Sequence, residues 1–262
     1  MDRTTFQSKY GPWALVTGAS SGIGRAFAER LAELRLKLVL AARREPLLGQ
    51  IAQHLMNRYG TETKVIACDF CTPEAVETIQ AGTHDLDIGL FIGAAGFGTS
   101  GPFLDNEISD EVEMIKVNCA TIAQLSHVFG RRLVARGGGG MVLMSSLVAF
   151  QGVPRAANYA ATKAYVQSLA EALHVELKSK GVDVLASAPG PVASGFANRA
   201  GMTMGQAQTP EEVARGTLAA IGRRATVRPG LLAKFLEASL APMPRRVRVK
   251  IMARVMAGMT GA

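Results

Sequence analysis

The chain has 262 residues, 48% hydrophobic and 19% charged, which is enough apolar material for one globular domain with a sizeable core. The net charge of +8 is confined to the end of the chain. From Arg223 onward nine Lys or Arg face one acid, Glu237, whereas the preceding 222 residues carry twenty of each sign. A neutral body argues against a general nucleic-acid-binding surface.

The opening stretch MDRTTFQSKYGPW has no apolar segment of signal-peptide type, and no uninterrupted apolar run reaches about 18 residues, so neither a secretory leader nor a spanning helix is expected. Apolar runs of strand length then alternate with helical patterns. WALVT (13–17) precedes a helix over 22–35, and LKLVLAA (36–42) precedes one over 45–59. KVIAC (64–68) leads to TPEAVETI, where Thr72 is read as an N-cap with Pro73 at the first helical position. IGLFIGAA (88–95) precedes a long helix over 108–135, GMVLMSS (140–146) precedes one over 156–180, and VDVLAS (182–187) follows. These strands are apolar at nearly every position, as parallel strands covered on both faces are. The alternation predicts right-handed crossovers and a single doubly wound α/β sandwich. Three sparse cysteines (Cys68, Cys71, Cys119) do not make a disulfide framework and point to a reducing cytoplasm. The four scattered histidines lack metal-ligand spacing.

The densest signal is TGASSGIG (17–24), directly after the first predicted strand. Gly18, Gly22 and Gly24 permit a tight turn and close approach of backbone to ligand, and the helix that follows aims its unpaired N–H groups at that turn. A pyrophosphate fits there, with hydroxyl donors from Ser20 and Ser21. The second strand ends LAARRE: Ala42 stands where an NAD-binding chain places an acid, and Arg43 and Arg44 follow. Guanidinium groups there favour NADP(H), with Arg43 the principal contact for the 2′-phosphate.

Tyr159 and Lys163 lie four residues apart and so on one helical face. A neighbouring ammonium is expected to lower the phenol's pKa and make an acid–base pair of them. Ser146, thirteen residues before Tyr159, ends a strand and can polarise a carbonyl. Asn118 is polar within an apolar helical stretch, either as a core amide holding a kink or as a catalytic group.

Taken in order, TGASSGIG, CDF, AAG, VN, SS, YAATK and PGPVAS (189–194) resemble the short-chain dehydrogenase/reductase family, over Trp13 to about Phe196. The resemblance implies a Rossmann-like domain with a seven-stranded parallel sheet. It implies that Tyr159 is the general acid and base, that Lys163 tunes it and holds the nicotinamide ribose, that Ser146 binds the substrate oxygen, and that Asn118 holds a relay water. It places further cofactor contacts at Ile23 in the turn, at Asp69 and Phe70, at Ala95 and Gly96, and at Pro189, Gly190, Val192 and Ser194. Where the family reads NNAG this chain reads GAAG (93–96), a loss of two amides expected to loosen that strand.

Within the family the sequence is similar to bacterial NADP-dependent reductases and, more distantly, to 3-oxoacyl and 17-ketosteroid reductases. Residues 194–222 are read as a substrate lid, in which Phe196, Met202 and Met204 offer an adaptable apolar surface. Phe97, Val148, Phe150 and Val153 form an opposing wall or belong to the core. The expected substrate is a moderately apolar ketone or aldehyde. Residues 231–262 form a basic amphipathic extension with Arg246, Lys250 and Arg254 on one side, Val247, Ile251 and Val255 adjacent and Met252, Met256 and Met259 beyond, although Arg248 interrupts the apolar arc. It packs on the body or on a sister subunit, contacts anionic lipid as a peripheral anchor, captures an anionic substrate, or is disordered. The two long helices are candidates for a homodimer or homotetramer interface. The rival to an enzyme is a catalytically silent NADP(H)-binding regulator or scaffold.

Overall fold

A computed structural model describes residues 2–202 and 207–260. Seven parallel strands form one sheet in the order β3-β2-β1-β4-β5-β6-β7. They are β1 (Trp13–Thr17), β2 (Lys37–Ala42), β3 (Thr63–Ala67), β4 (Ile88–Gly93), β5 (Gly139–Met144), β6 (Val182–Ser187) and β7 (Thr226–Val227). Strand order reverses between β1 and β4, which opens a crevice at their carboxyl ends. Alternate strand residues feed two cores, as the two-residue period requires. Ala14, Val16, Leu38 and Leu40 face one side; Leu15, Val39 and Phe91 face the other.

The first side is covered by α1 (Arg3–Tyr10), α2 (Gly22–Glu33), α3 (Glu45–Tyr59) and α9 (Pro210–Ala220). The second is covered by α4 (Ala75–Thr83), α6 (Ile122–Arg136) and α7 (Ala157–Lys178). Phe91 of β4 stacks on Phe129 of α6 with ring centroids 5.2 Å apart. The opening helix α1 has no counterpart in the sequence reading. It buries Phe6 and Tyr10, and the Tyr10 hydroxyl donates to Asp183 on β6 at 2.6 Å.

Several boundaries differ from expectation for local reasons. β4 stops at Gly93 and β5 at Met144, so Ala95, Gly96 and Ser146 stand in exit loops, where side chains and backbone are free to face a ligand. Thr72 caps no helix: its hydroxyl donates back to the Asp69 carbonyl in a turn, and α4 begins two residues beyond Pro73, at Ala75. The predicted 108–135 helix is three pieces, α5 (Ile108–Ile115), a π-helical turn (Lys116–Thr121) and α6. The π turn surrounds Asn118, so the amide does sit at an irregularity of the helix. Only the first part of 194–222 covers the cavity, beginning with α8 (Gly195–Arg199). In α9, Val213, Ala214 and Leu218 are core residues, and the helix starts on a capping box between Thr209 and Glu212.

The basic extension is two helices, α10 (Leu231–Leu240) and α11 (Arg245–Thr260). The stripe of α11 that packs inward is Met252, Met256 and Met259, against Val153, Ala156 and Ala160. Of the adjacent Val247, Ile251 and Val255 stripe, Ile251 is half-buried while Val247 and Val255 are exposed, since the neighbouring methionine row is the longer and more pliable filler. No helix of the described residues is long and apolar enough to cross a membrane.

Candidate active site

One cavity of about 850 Å³ runs along the carboxyl ends of the strands, from the glycine-rich turn to α11. At the turn the backbone leaves no room for side chains. A Cβ on Gly24 would lie 2.2 Å from the Gly18 carbonyl oxygen. Gly18 has φ +68°, and a Cβ there would meet the Ala94 carbonyl and the Ala95 backbone at 2.9 Å. Gly18, Ser20, Ser21, Gly22, Ile23 and Gly24 line the cavity, at the start of α2. This is a donor set that can hold a pyrophosphate. Arg44 donates from Nη2 to the hydroxyls of Ser20 (3.0 Å) and Ser21 (3.1 Å), which ties it to the turn. Arg43 also lines the cavity and is exposed.

The strand exits are held without the two missing asparagines. The Thr17 hydroxyl accepts the N–H groups of both Ala94 and Ala95 at 3.1 Å and donates to the Ile92 carbonyl. Asn118, 1% exposed, accepts the Phe97 N–H and donates to the Phe97 carbonyl and to the Thr162 hydroxyl. Asn118 therefore clamps the loop after β4 and does not line the cavity itself. Gly96 is squeezed beside it: a Cβ there would lie 2.8 Å from Asn118 Oδ1 and 3.6 Å from Lys163 Nζ. Asp69 and Phe70 line the cavity at the end of β3, with Cys71 donating its N–H to the Asp69 carboxylate. Burial raises the thiol of Cys71, and raises that of Cys68 to about 11, which opposes thiol chemistry at the CDFC stretch.

Ser146, Tyr159 and Lys163 come together at the cavity's centre. β5 ends beneath α7, and Lys163 donates from Nζ to the Met144 carbonyl at 2.9 Å. Its ammonium stands 5.7 Å from the Tyr159 ring centroid. The lowered phenol pKa expected from sequence is reversed. Burial pushes Tyr159 up to about 12, and its hydrogen bond with Ser146 offsets only part of this. Burial likewise pulls Lys163 down to about 8, with the nearby Cys119 opposing it only in part, so desolvation governs both groups.

Pro189, Gly190, Val192 and Ser194 line the same cavity beyond β6. From α8, Phe196 tilts over Tyr159 with ring centroids 5.2 Å apart. Phe97, Val148, Phe150 and Met202 are also wall residues. Val153 is not: it lies under α11, buried by the methionine row. Met204 lies outside the described residues. Sequence reasoning missed Arg199, whose guanidinium covers the Phe97 ring at 3.9 Å, and Arg228, which covers Phe150 at 4.3 Å. The Met252, Met256 and Met259 row was legible in the sequence, but its place with Arg248 on the cavity wall was not.

A family model for short chain dehydrogenases matches residues 12–204. The chain belongs to the short-chain dehydrogenase family. This dehydrogenase is 32% identical over 231 residues to the 7beta-hydroxysteroid dehydrogenase of Collinsella aerofaciens, covering 86% of this chain and 88% of that protein. It is 29% identical over 245 residues to the human very-long-chain 3-oxoacyl-CoA reductase, covering 92% and 78%. A solved short-chain dehydrogenase from Sphingobium yanoikuyae in complex with NADPH matches its fold with a TM-score of 0.79 at 28% identity, covering 88% of this chain and 94% of that one.

The Lys163 shift has a consequence for the stability of the cofactor-free dehydrogenase. Its folded pKa of about 8 lies below the ordinary 10.5, so between those values the unfolded chain binds more protons. Folding stability from this group therefore rises with pH through that window and is at its lowest below about 8. Thermal melts of the native chain and Lys163→Met from pH 7 to pH 10 check this: the melting temperature of the native chain rises relative to the variant.

Proposed function

We propose that this chain is an NADPH-dependent oxidoreductase interconverting a carbonyl and an alcohol on a moderately apolar substrate. The observation that carries the reading is that Ser146, Tyr159 and Lys163 line one cavity with the glycine turn and both arginines of the LAARRE segment. Gly18 to Gly24 hold the pyrophosphate, Arg43 and Arg44 the 2′-phosphate, and Lys163 and Pro189 to Ser194 the nicotinamide end. When bound, NADPH supplies the hydride that adds to the carbonyl carbon.

Tyr159 supplies the proton to the substrate oxygen, and Ser146 orients that oxygen by a hydrogen bond. With its phenol raised to about 12, Tyr159 holds its proton at neutral pH, the state reduction requires. Asn118 keeps the β4 loop, and through Thr162 the helix carrying Tyr159, in register: the Thr162 hydroxyl joins the amide to the Tyr159 carbonyl. A silent nucleotide-binding scaffold has no use for a buried phenol, lysine and serine at one point. Phe196 and Met202 exclude water above Tyr159, and Val148 and Phe150 contact the substrate.

Exposed apolar side chains on α5, on α7 and in the turn just before α5 support a homodimer. Leu104, Ile108 and Val175 are 91%, 67% and 74% exposed. The outward side of α11 supports peripheral contact with anionic lipid, since Arg246, Lys250 and Arg254 are exposed beside the exposed Val247.

Four experiments test these readings. NADPH oxidation over a panel of aliphatic, aromatic, 3-oxoacyl and steroid carbonyls should fall roughly 100-fold or more in Tyr159→Phe. In the same series Arg43→Ala should lower the NADPH-to-NADH affinity ratio roughly 10-fold, the size of one charge-assisted contact. An unchanged ratio removes Arg43 from the phosphate site. Sedimentation equilibrium should give a dimer that Ile108→Glu converts to monomer; a native monomer ends that reading. The full chain should pellet with vesicles of mixed neutral and anionic phospholipid and not with purely neutral ones, and a triple charge reversal at Arg246, Lys250 and Arg254 should abolish pelleting.

A further inference from the structure

The end of the cavity away from the glycine turn is apolar, yet it carries guanidinium groups. Arg248 of α11 lines it half-buried, donating from Nε to the Met243 carbonyl at 2.8 Å and from Nη2 to the Ala241 carbonyl at 3.4 Å. Those contacts fix the head of the side chain and leave further N–H donors unused. No carboxylate pairs with Arg248 among the described residues. Arg228 lines the same end, stacked on Phe150. The segment after Phe150 meets α11 next to Arg248: a Cβ on Gly152 would touch Val249 at 3.6 Å. Both guanidinium groups thus border one loop. Among the described residues lining the whole cavity the single acid is Asp69, at the end of β3. A half-buried guanidinium facing an apolar space without a counter-ion is costly unless a ligand provides one.

We propose that the substrate end selects an amphipathic compound with an anionic terminus, a carboxylate or a phosphate, that pairs with Arg248 beside Arg228. The apolar body of the compound lies along Met252 and Met256, toward Tyr159. The proposal explains where the net charge sits. The body is neutral, and the excess of bases begins at Arg223, in the segment that closes this end of the cavity. A one-signed field focused in a cleft draws anions inward. The proposal deepens the oxidoreductase reading by naming a substrate class, but its test does not depend on turnover.

Calorimetric binding of decanoate, decyl phosphate and decanamide to the full chain with saturating NADPH, and again without NADPH, reads the anion preference directly. At least one anion should bind 10-fold or more tighter than decanamide, and the tighter of the two anions identifies carboxylate or phosphate as the source. Arg248→Met should remove the preference while leaving decanamide affinity unchanged. Should Arg248→Met bind none of the three, Arg248→Lys, which keeps the charge, decides: a retained preference supports the proposal and a lost one overturns it. Equal affinity for all three ligands in the native chain, or an undiminished preference in Arg248→Met, also overturns it. A lack of carbonyl reduction alongside a clear anion preference would instead remove the enzyme reading and leave this one standing.

Discussion

The molecule depends on a backbone pinch where β1 and β4 end side by side. The Thr17 hydroxyl gathers the Ala94 and Ala95 amides, and Gly18 passes those two residues at a distance no Cβ allows. Gly24 then lets α2 start directly over the turn. Parallel strands on either side of a topological switch diverge, and the pinch keeps the resulting crevice narrow at its floor. A cofactor laid along the strand ends is therefore met by main-chain donors at the turn and small residues at the β4 exit. At this exit, which reads GAAG, Thr17 and Asn118 hold the backbone from residue 94 to residue 97.

Desolvation governs the chemistry above that floor. Two groups whose pairing suggests mutual charge stabilisation are each driven toward neutrality by burial, Tyr159 upward and Lys163 downward. Lys163 faces the Met144 carbonyl, and Tyr159 faces Ser146 beneath the Phe196 ring. An unloaded site of this kind stores an acid that keeps its proton and a lysine ready to change charge near neutrality. Bound phosphate and ribose oxygens would favour the charged lysine, which links cofactor binding to the proton state of the site.

The extension beyond β7 lengthens the cleft at the strand ends and walls its far end. α11 lays a methionine row over Val153, Ala156 and Ala160, so the wall opposite Tyr159 is made of long, adaptable side chains. Its basic residues then divide between two environments: Arg248 at the cavity and Arg246, Lys250 and Arg254 toward solvent. One helix thereby contributes both to the cavity wall and to the outer basic surface.

The strands, the glycine turn, the arginines after β2 and the Ser146, Tyr159 and Lys163 set were legible in the residues, because each rests on local chemistry: a two-residue period, a φ that only glycine takes easily, a helical spacing of four. The doubly wound order followed from the alternation of strand and helix. What tertiary structure alone decided was environment. It made Asn118 the core amide of the two readings the residues left open, a clamp inside a π-helical turn; it set the Tyr159 shift against the sequence expectation, placed Val153 under α11 and put Arg199, Arg228 and Arg248 on the cavity wall. Periodicity fixes which side chains share a face, but burial and partners come from elements far apart in the chain, and those distances exist only once it has folded.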